Sequence, residues 1–181
     1  MEILRAPIEN VFLINMMPYV DSRGSFMRCF CSDVMKKILK DRNVLQINQS
    51  CTTAVGAIRG LHFQYPPYAE MKMIRCIKGR VWDVAIDLRK GSKTFLKWYA
   101  QELSADNNKM MVIPEGCAHG FQVMEPESEL IYLHTAFYEK SYEGGVRFDD
   151  PQISINWPLE VTEISQKDEQ FELLPNEFKG I

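Results

Sequence analysis

Three histidines carry the most direct chemical signal in this sequence, and one of them, His62, stands within Arg59-Gly60-Leu61-His62-Phe63-Gln64. Histidine is the side chain best suited to take a proton near neutral pH. Arg59 precedes it, and Lys72 follows at the end of the next short segment. Cations on both sides of a base favour an anionic substrate and an anionic transition state. The segment therefore predicts proton transfer on a negatively charged substrate.

A second histidine, His119, lies in Ile113-Pro114-Glu115-Gly116-Cys117-Ala118-His119-Gly120-Phe121. A Pro-x-Gly turn followed by an inward-facing histidine has the form of the second cupin motif. Metal-binding cupins join this histidine to an HxH pair and an earlier glutamate. Here Phe63 and Gln64 follow His62, so the pair is missing and we expect no metal. His62 and His119 are then acid–base or hydrogen-bonding groups, or simply structural histidines.

Two further side chains suit the same chemistry. A base histidine needs a carboxylate or carbonyl on its second nitrogen to fix the tautomer, and Asp168 is a candidate for that role. Tyr132 lies in the alternation Leu130, Tyr132, His134, Ala136, one face of which could point into a barrel. A buried tyrosine near a cation can act as a general acid. A solvated aspartate and a packed tyrosine are the simpler alternatives.

β-Strand patterns dominate the segments that must position these residues. Apolar or alternating runs predict strands at 11–14, 25–30, 44–50, 71–77, 81–88, 96–103, 110–113, 121–124 and 130–137. The turn Lys78-Gly79-Arg80 predicts a hairpin. One helix is expected at 32–39 with Ser32 as its N-cap, and a second short helix from Ile164. These patterns predict an all-β fold: a cupin-type antiparallel jelly roll or barrel with one or two short flanking helices, in a single domain over 1–181.

Composition excludes several classes of function. The chain has 181 residues, 46% of them hydrophobic, and a net charge of −3 without a block of like charge, which argues against nucleic-acid binding. No apolar run reaches membrane-spanning length, and the first ten residues lack the apolar core of a signal peptide. Five cysteines without CxxC spacing make a poor zinc site and a poor disulfide framework. We expect a cytoplasmic protein without membrane or nucleic-acid partners.

Taken together, these stretches closely resemble the dTDP-4-dehydrorhamnose 3,5-epimerase family over nearly the whole chain. The most specific matches are 59–64 and 113–121, and further matches lie at 21–26, 46–48, Lys72, 83–89, 92–95, 149–151, 157–158 and 165–168. The resemblance implies a metal-free, cofactor-free cupin, usually a homodimer whose N-terminal strands exchange between subunits. It also implies a nucleotide-linked 4-keto-6-deoxyhexose as substrate, inverted at the carbons that flank the ketone.

The resemblance implies a role for each matching residue. His62 matches the base, Asp168 its carboxylate partner, Tyr132 the acid on the opposite face of the sugar, and Lys72 the lysine near the ketone oxygen. Lys72 with His119 would stabilise the developing oxyanion. The other positions that line the nucleotide and sugar site are Arg23, Phe26, Gln46, Asn48, Arg59, His119, Tyr138, Glu143 and Lys167.

Some positions depart from the family pattern. Arg28 replaces a glutamate that contacts the thymine end, and Ala69-Glu70 replaces Ala-Gln; Leu133 and Phe148 replace a lysine and a tryptophan. Arg28 and Glu70 are predicted to change the nucleotide end of the site and not the chemistry. Because arginine offers only donors, Arg28 suits an acceptor-rich base such as cytosine or guanine. The alternative is that both side chains face solvent.

Four functions therefore stand side by side. The first is a nucleotide-sugar 3,5-epimerase, and the second is a single-carbon (3- or 5-) epimerase on a CDP- or GDP-linked 4-keto sugar. The third is a metal-dependent cupin oxygenase or isomerase, against which the missing HxH pair argues. The fourth is a catalytically silent nucleotide-sugar binding module, against which the intact set His62, Lys72, Tyr132 and Asp168 argues.

Overall fold

Two antiparallel β-sheets face each other in the computed structural model of the chain, which describes residues 1–181. The strands are β1 (Glu2–Arg5), β2 (Phe12–Asn15), β3 (Tyr19–Asp21), β4 (Gly24–Phe26), β5 (Gln46–Thr52), β6 (Ile58–Gln64), β7 (Lys72–Lys78), β8 (Arg80–Asp87), β9 (Trp98–Ser104), β10 (Lys109–Ile113), β11 (Cys117–Val123), β12 (Ser128–His134) and β13 (Glu143–Gly145). The helices are α1 (Ser32–Leu39) and α2 (Gln166–Glu169), with a 3₁₀ turn at Lys140–Tyr142. Neither helix has the length and apolarity needed to cross a bilayer.

The strand order explains how distant segments come together. One sheet has the order β1-β2-β10-β7-β12-β5 and the other the order β13-β6-β11-β8-β9, while β3 and β4 pair only with each other. Neighbouring strands are antiparallel throughout. This arrangement confirms the expected all-β, cupin-type jelly roll with two short helices.

Alternation along the strands decides which side chains fill the core. Ile74 and Cys76 of β7 pack against Val81 and Ala85 of β8 in the cluster between the two sheets. The other face of the same sheet is also buried, because α1 covers it in a second cluster that includes Met73. A third cluster lies where the C-terminal segment covers the outer face of the five-stranded sheet. Both sheets are thus buried on two sides, as a rigid scaffold for a site requires.

The hairpin expected at Lys78-Gly79-Arg80 is wrong. β7 pairs with β10 and β12, whereas β8 pairs with β9 and β11 in the other sheet. Gly79 does adopt a left-handed conformation, with φ of 71°, so the tight turn is present. A tight turn reverses the chain without fixing which strands bond, and here it carries the chain from one sheet to the other.

Two local expectations also need correction. The bounds of α1 agree with the prediction, but its N-cap is Cys31, and no side chain caps the helix. Ser32 is therefore the first helical residue and not the cap. The strand expected at 25–30 ends at Phe26, since β4 belongs to the short, isolated β3–β4 hairpin and has no sheet to extend along.

Candidate active site

A cavity of about 650 Å³ opens between the two sheets and holds most of the residues that the sequence singled out. Both sheets contribute to its walls, and the C-terminal segment closes one side. The lining residues are Asn48, Gln49, Ser50, Thr52, Ala57, Ile58, Arg59, His62, Lys72, His119, Phe121, Tyr132, His134, Glu163, Ile164, Ser165, Lys167 and Asp168. A cavity of this size accommodates a small-molecule ligand.

His62 and Asp168 form a dyad on one wall. His62 Nε2 lies 2.7 Å from Asp168 Oδ1, and the other carboxylate oxygen accepts a bond of 3.0 Å from the Gly60 N–H. The ring edge of Phe171 packs against the His62 ring at 5.9 Å between centroids. The Asp168 side chain is almost fully buried, while that of His62 is about one-third exposed to the cavity. The aspartate therefore fixes the histidine tautomer and leaves the other ring nitrogen free for a substrate proton.

The C-terminal segment carries Asp168 to this position over more than 100 residues of sequence. The Ile58 N–H donates to the Glu163 carbonyl at 2.9 Å, which fastens the segment to the start of β6. Ser165 caps α2 by accepting from the Asp168 N–H at 3.1 Å. Burial acts to raise the pKa of Asp168, but the hydrogen bonds and charge of His62, with the Gly60 N–H, lower it overall. The carboxylate thus stays ionised beside the histidine.

Tyr132 lies on the other sheet and faces the same cavity. It stands on β12, in register with Asn48 of β5, and its hydroxyl lies 2.9 Å from Ser50 Oγ. Burial raises the pKa of the Tyr132 hydroxyl well above its usual value, although the hydrogen bond to Ser50 opposes the shift. The hydroxyl therefore keeps its proton at neutral pH and can donate it. Ser50 was missed from sequence, though it lies two residues from Asn48 and so shares its face of β5.

Lys72 Nζ donates at 3.0 Å to the backbone carbonyl of His62 and lies 3.0 Å from Glu70 Oε1. The Glu70 carboxylate also accepts from Gln64 Nε2. Glu70 is buried beside the lysine, so the alternative that it faces solvent is wrong, while its effect on the nucleotide end stays a prediction. Glu70 lies two residues ahead of Lys72, and the ion pair between them holds its carboxylate away from solvent.

A second histidine–aspartate pair flanks the first. His119 is the register partner of His62 across β6 and β11, and its Nε2 lies 2.7 Å from Asp83 Oδ1. Both side chains are buried, and Asp83 Oδ2 has no hydrogen-bond partner. Burial raises the pKa of Asp83, and the charge and hydrogen bond of His119 only partly oppose this. Asp83 is a site residue that the sequence did not reveal, because nothing in its segment marks which aspartate faces His119.

The third histidine, His134, also lines the cavity. It follows Tyr132 on the same face of β12, and it is the register partner of Lys72. Burial, followed by the positive charge of Lys72 and the proximity of His119, lowers its pKa to about 4, so the ring is neutral near pH 7. Its Nε2 lies 3.4 Å from Asn48 Nδ2. The alternation around Tyr132 was the signal that could have found it.

Polar groups at the cavity rim form one connected set. Glu143 accepts from Lys167 Nζ at 2.6 Å and from the Tyr138 hydroxyl at 2.9 Å. Burial works against ionisation of Glu143, yet these two hydrogen bonds hold its pKa below the usual range. The Tyr138 N–H donates at 3.1 Å to Gln46, whose amide donates at 3.1 Å to Asn48. Arg59 also lines the cavity but stands apart from this set, since its side chain donates to the Cys51 carbonyl at 3.4 Å.

Of the six expected binding residues that do not line the cavity, Gln46, Tyr138 and Glu143 lie at its rim and the other three lie away from it. Arg23 and Phe26 stand on the β3–β4 hairpin, where the Arg23 side chain is 88% exposed and Phe26 is 76% exposed. Arg28 follows in the exposed stretch after β4. Arg23 bonds only to Asp21 of its own hairpin. The single chain therefore does not bring these three residues to the site.

The two histidine–aspartate pairs hold His62 and His119 in an arrangement that suits proton transfer. No group of three or more His, Cys, Asp or Glu side chains is arranged to hold a metal ion. The cavity walls carry a histidine with its orienting carboxylate, a neutral tyrosine hydroxyl on the opposing sheet, and a lysine. Such a set can remove a proton from one side of a ligand and return a proton to the other.

Comparison with known proteins adds independent information. The family model for dTDP-4-dehydrorhamnose 3,5-epimerase matches residues 5–176. A dTDP-4-dehydrorhamnose 3,5-epimerase of Shigella flexneri is 40% identical over 169 residues, 93% of each chain. The crystal structure of the same-named enzyme from Elizabethkingia anophelis NUHP1 superposes with a TM-score of 0.92 at 33% identity, covering 98% of both chains. The dTDP-6-deoxy-D-glucose-3,5-epimerase of Legionella pneumophila Philadelphia 1, solved with dTDP-4-keto-L-rhamnose, gives 0.90 at 34% identity over 95% of this chain and 92% of that one.

Proposed function

The chain belongs to the dTDP-4-dehydrorhamnose 3,5-epimerase family of isomerases, and we propose that it inverts both carbons beside the ketone of a dTDP-linked 4-keto-6-deoxyhexose. A hydrogen next to a ketone becomes acidic only if the enolate is stabilised as it forms. The cavity must therefore supply a base, a stabiliser of the oxyanion and a proton donor.

His62 acts as the base. Its Nε2 is held by Asp168 at 2.7 Å, so the other ring nitrogen is the one available to the substrate. As His62 takes the proton, the buried carboxylate stabilises the imidazolium that forms. The positive charge that develops on His62 is thereby balanced within the protein.

Lys72 stabilises the enolate oxygen. Its ammonium group reaches the cavity wall beside His62, where a hydrogen bond to the His62 carbonyl and the ion pair with Glu70 already hold it in place. A preorganised donor in a site with little water stabilises a developing oxyanion without reorganisation. His119 on β11 is the register partner of His62 on β6 and contributes a second polar group at the same wall.

Tyr132 returns a proton to the opposite face. Inversion requires donors or acceptors on both faces, since a single base on one face only exchanges the proton. His62 comes from the five-stranded sheet and Tyr132 from the six-stranded sheet, and both line the cavity between them. This placement of base and acid on opposing sheets is the single observation that carries the proposal.

The nucleotide occupies the rim, and a second copy of the chain completes the site. The carriers named for the matched relatives are dTDP sugars, which supports dTDP. The β3–β4 hairpin pairs with no other strand of its own chain, and Tyr19, Val20 and Phe26 are largely exposed on it. An apolar, unpaired hairpin of this kind suits exchange in a homodimer, in which Arg23, Phe26 and Arg28 reach the partner's cavity.

The test is deuterium incorporation from heavy water into a dTDP-linked 4-keto-6-deoxyhexose, followed by NMR of the product. We expect deuterium at both carbons beside the ketone, with inverted configuration at each. Incorporation at one carbon only would establish the single-carbon alternative, and no incorporation would refute an epimerase. The rise in melting temperature with dTDP, CDP, GDP and UDP identifies the carrier, because a ligand that binds only the native state must stabilise it.

A further inference from the structure

An ion pair lies buried at the base of the cavity, and the mechanism above uses only half of it. The side chains of Lys72 and Glu70 are 9% and 6% exposed, and Lys72 Nζ lies 3.0 Å from Glu70 Oε1. Desolvating two charges costs free energy that their attraction alone often fails to repay. An apolar pair would serve the fold as well, so the pair points to a role in the site.

Both oxygens of Glu70 face donors. Lys72 Nζ is at Oε1, while Gln64 Nε2 donates to Oε2 and His134 Nδ1 lies 4.0 Å away. The orientation of Gln64 is fixed, because its oxygen accepts from the Glu139 N–H at 2.7 Å and its amide donates to the Tyr68 carbonyl at 2.9 Å. An amide at position 70 would set a donor against one of these donors. A carboxylate presents an acceptor to both neighbours as they stand.

The same contacts restrain the Lys72 ammonium. A lysine ammonium has three donors arranged tetrahedrally around its nitrogen. The His62 carbonyl accepts one of them at 3.0 Å, and the Glu70 carboxylate forms an ion pair with the same ammonium at 3.0 Å. The hydrogen bond and the ion pair together restrain the ammonium, which keeps a donor for the cavity that Lys72 lines.

We propose that Glu70 is a positioning residue whose buried charge holds the Lys72 ammonium in place facing the enolate oxygen of the substrate. The inference rests on the proposed function, because it assigns Lys72 the stabilising role in enolisation. Glu70 itself does not touch the substrate. Its carboxylate holds the ammonium in place before the reaction begins, and such preorganisation lowers the barrier at the moment when charge develops.

The first experiment needs no substrate. Lys72→Met leaves the Glu70 carboxylate buried without its partner, and we expect the melting temperature to fall on the order of 10 °C. Glu70→Gln/Lys72→Met removes both charges and should recover most of that loss. A double variant no more stable than Lys72→Met would overturn the pairing and with it the proposal.

The second experiment measures deuterium exchange beside the ketone in the same variants. We expect Glu70→Gln to slow exchange about tenfold at saturating substrate, with KM changed less than about twofold, because the nucleotide binds elsewhere. In the Lys72→Met background the same substitution should have almost no further effect. A matched control is Glu127→Gln, which removes the exposed partner of Lys78 at 3.0 Å and should leave exchange unchanged.

The outcomes separate cleanly. An equal effect of Glu70→Gln with and without Lys72 would mean that Glu70 acts only on the fold. Wild-type exchange in Glu70→Gln would mean that Glu70 does not position Lys72. Absence of exchange in the native protein would refute the proposed function and the catalytic part of this inference together. The melting temperatures would still decide whether the two side chains are paired.

Discussion

The charged groups of the cavity are held by buried partners, whereas those of the β3–β4 hairpin are exposed. In the cavity, His62 is paired with Asp168, His119 with Asp83, and Lys72 with Glu70. Each pair is within 3.0 Å, and the partner carboxylates are buried. On the hairpin, Arg23 bonds only to its neighbour Asp21 and is almost fully exposed, while Phe26 extends into solvent.

This difference separates chemistry from recognition. Groups that move protons must be held in one geometry, so a single chain orients them with buried partners and two layers of sheet. The hairpin side chains stay exposed in a single chain because nothing else in that chain covers them. The proposed homodimer supplies the missing surface.

The largest effect on the exchange rate is expected at His62 in the cavity. His62→Ala should slow exchange at both carbons by about 10²–10⁴-fold, because the base that Asp168 orients is lost, while nucleotide affinity remains nearly intact. Deuterium incorporation measures the rate, and the melting shift with dTDP measures binding. Near-native exchange in this variant would remove His62 from the mechanism.

Tyr132→Phe should separate exchange from inversion. His62 can still remove and return a proton on its own face, so deuterium enters while the epimer falls about 10²-fold. Phenylalanine keeps the ring packing, and Ser50→Ala serves as the control for loss of the hydroxyl partner at 2.9 Å. Product formation at the native rate would show that a water or another side chain is the acid.

Mixing two impaired variants tests whether the hairpin serves a second copy. Arg23→Ala should lower activity through substrate affinity, and His62→Ala abolishes it. If the hairpin enters the partner's cavity, mixed dimers contain one intact site, and a re-equilibrated equal mixture should recover about a quarter of native activity. If each hairpin serves its own chain, mixing restores nothing.

A smaller effect is expected at Arg28, which lies outside the cavity of its own chain. Should Arg28 read the base, Arg28→Glu changes the ranking of dTDP, CDP and GDP affinities by several-fold, or on the order of 1 kcal/mol. The catalytic rate at saturation should not change. A preference for dTDP that the substitution leaves unaltered would show that Arg28 does not contact the base.

The smallest effect concerns acid stability. The pKa values of Asp168 and Asp21 both lie below the ordinary value in the folded chain. A lowered pKa contributes stability that is present above the unfolded pKa of about 4 and is lost as pH falls through the folded one. Asp168→Asn should therefore flatten the fall in unfolding free energy below pH ~4, whereas Asp21→Asn, on the exposed hairpin, should leave it unchanged. Denaturant titrations across pH compare the two.

Sequence patterns determined the elements more reliably than their connections. Alternation placed most strands within a few residues, and the bounds of α1 were correct. The hairpin at Lys78-Gly79-Arg80 was wrong because turn chemistry reports only the local backbone, while strand pairing depends on which apolar faces become buried together. Short strands such as β1 and β13 escaped prediction for the same reason, since their partners hold them in place.

Candidates for the reacting groups were also named from the sequence. The RGLHFQ segment marked His62, Lys72 followed it, and Asp168 and Tyr132 were candidates by residue type before the resemblance implied their roles. The partners of these groups were not visible: Glu70, Asp83, Ser50 and His134 contact them through registers and side-chain directions that only packed sheets define. A single sequence shows which side chains can transfer protons. The tertiary structure decides which carboxylate holds which base, because burial and distance, and not position in the chain, set the strength of those contacts.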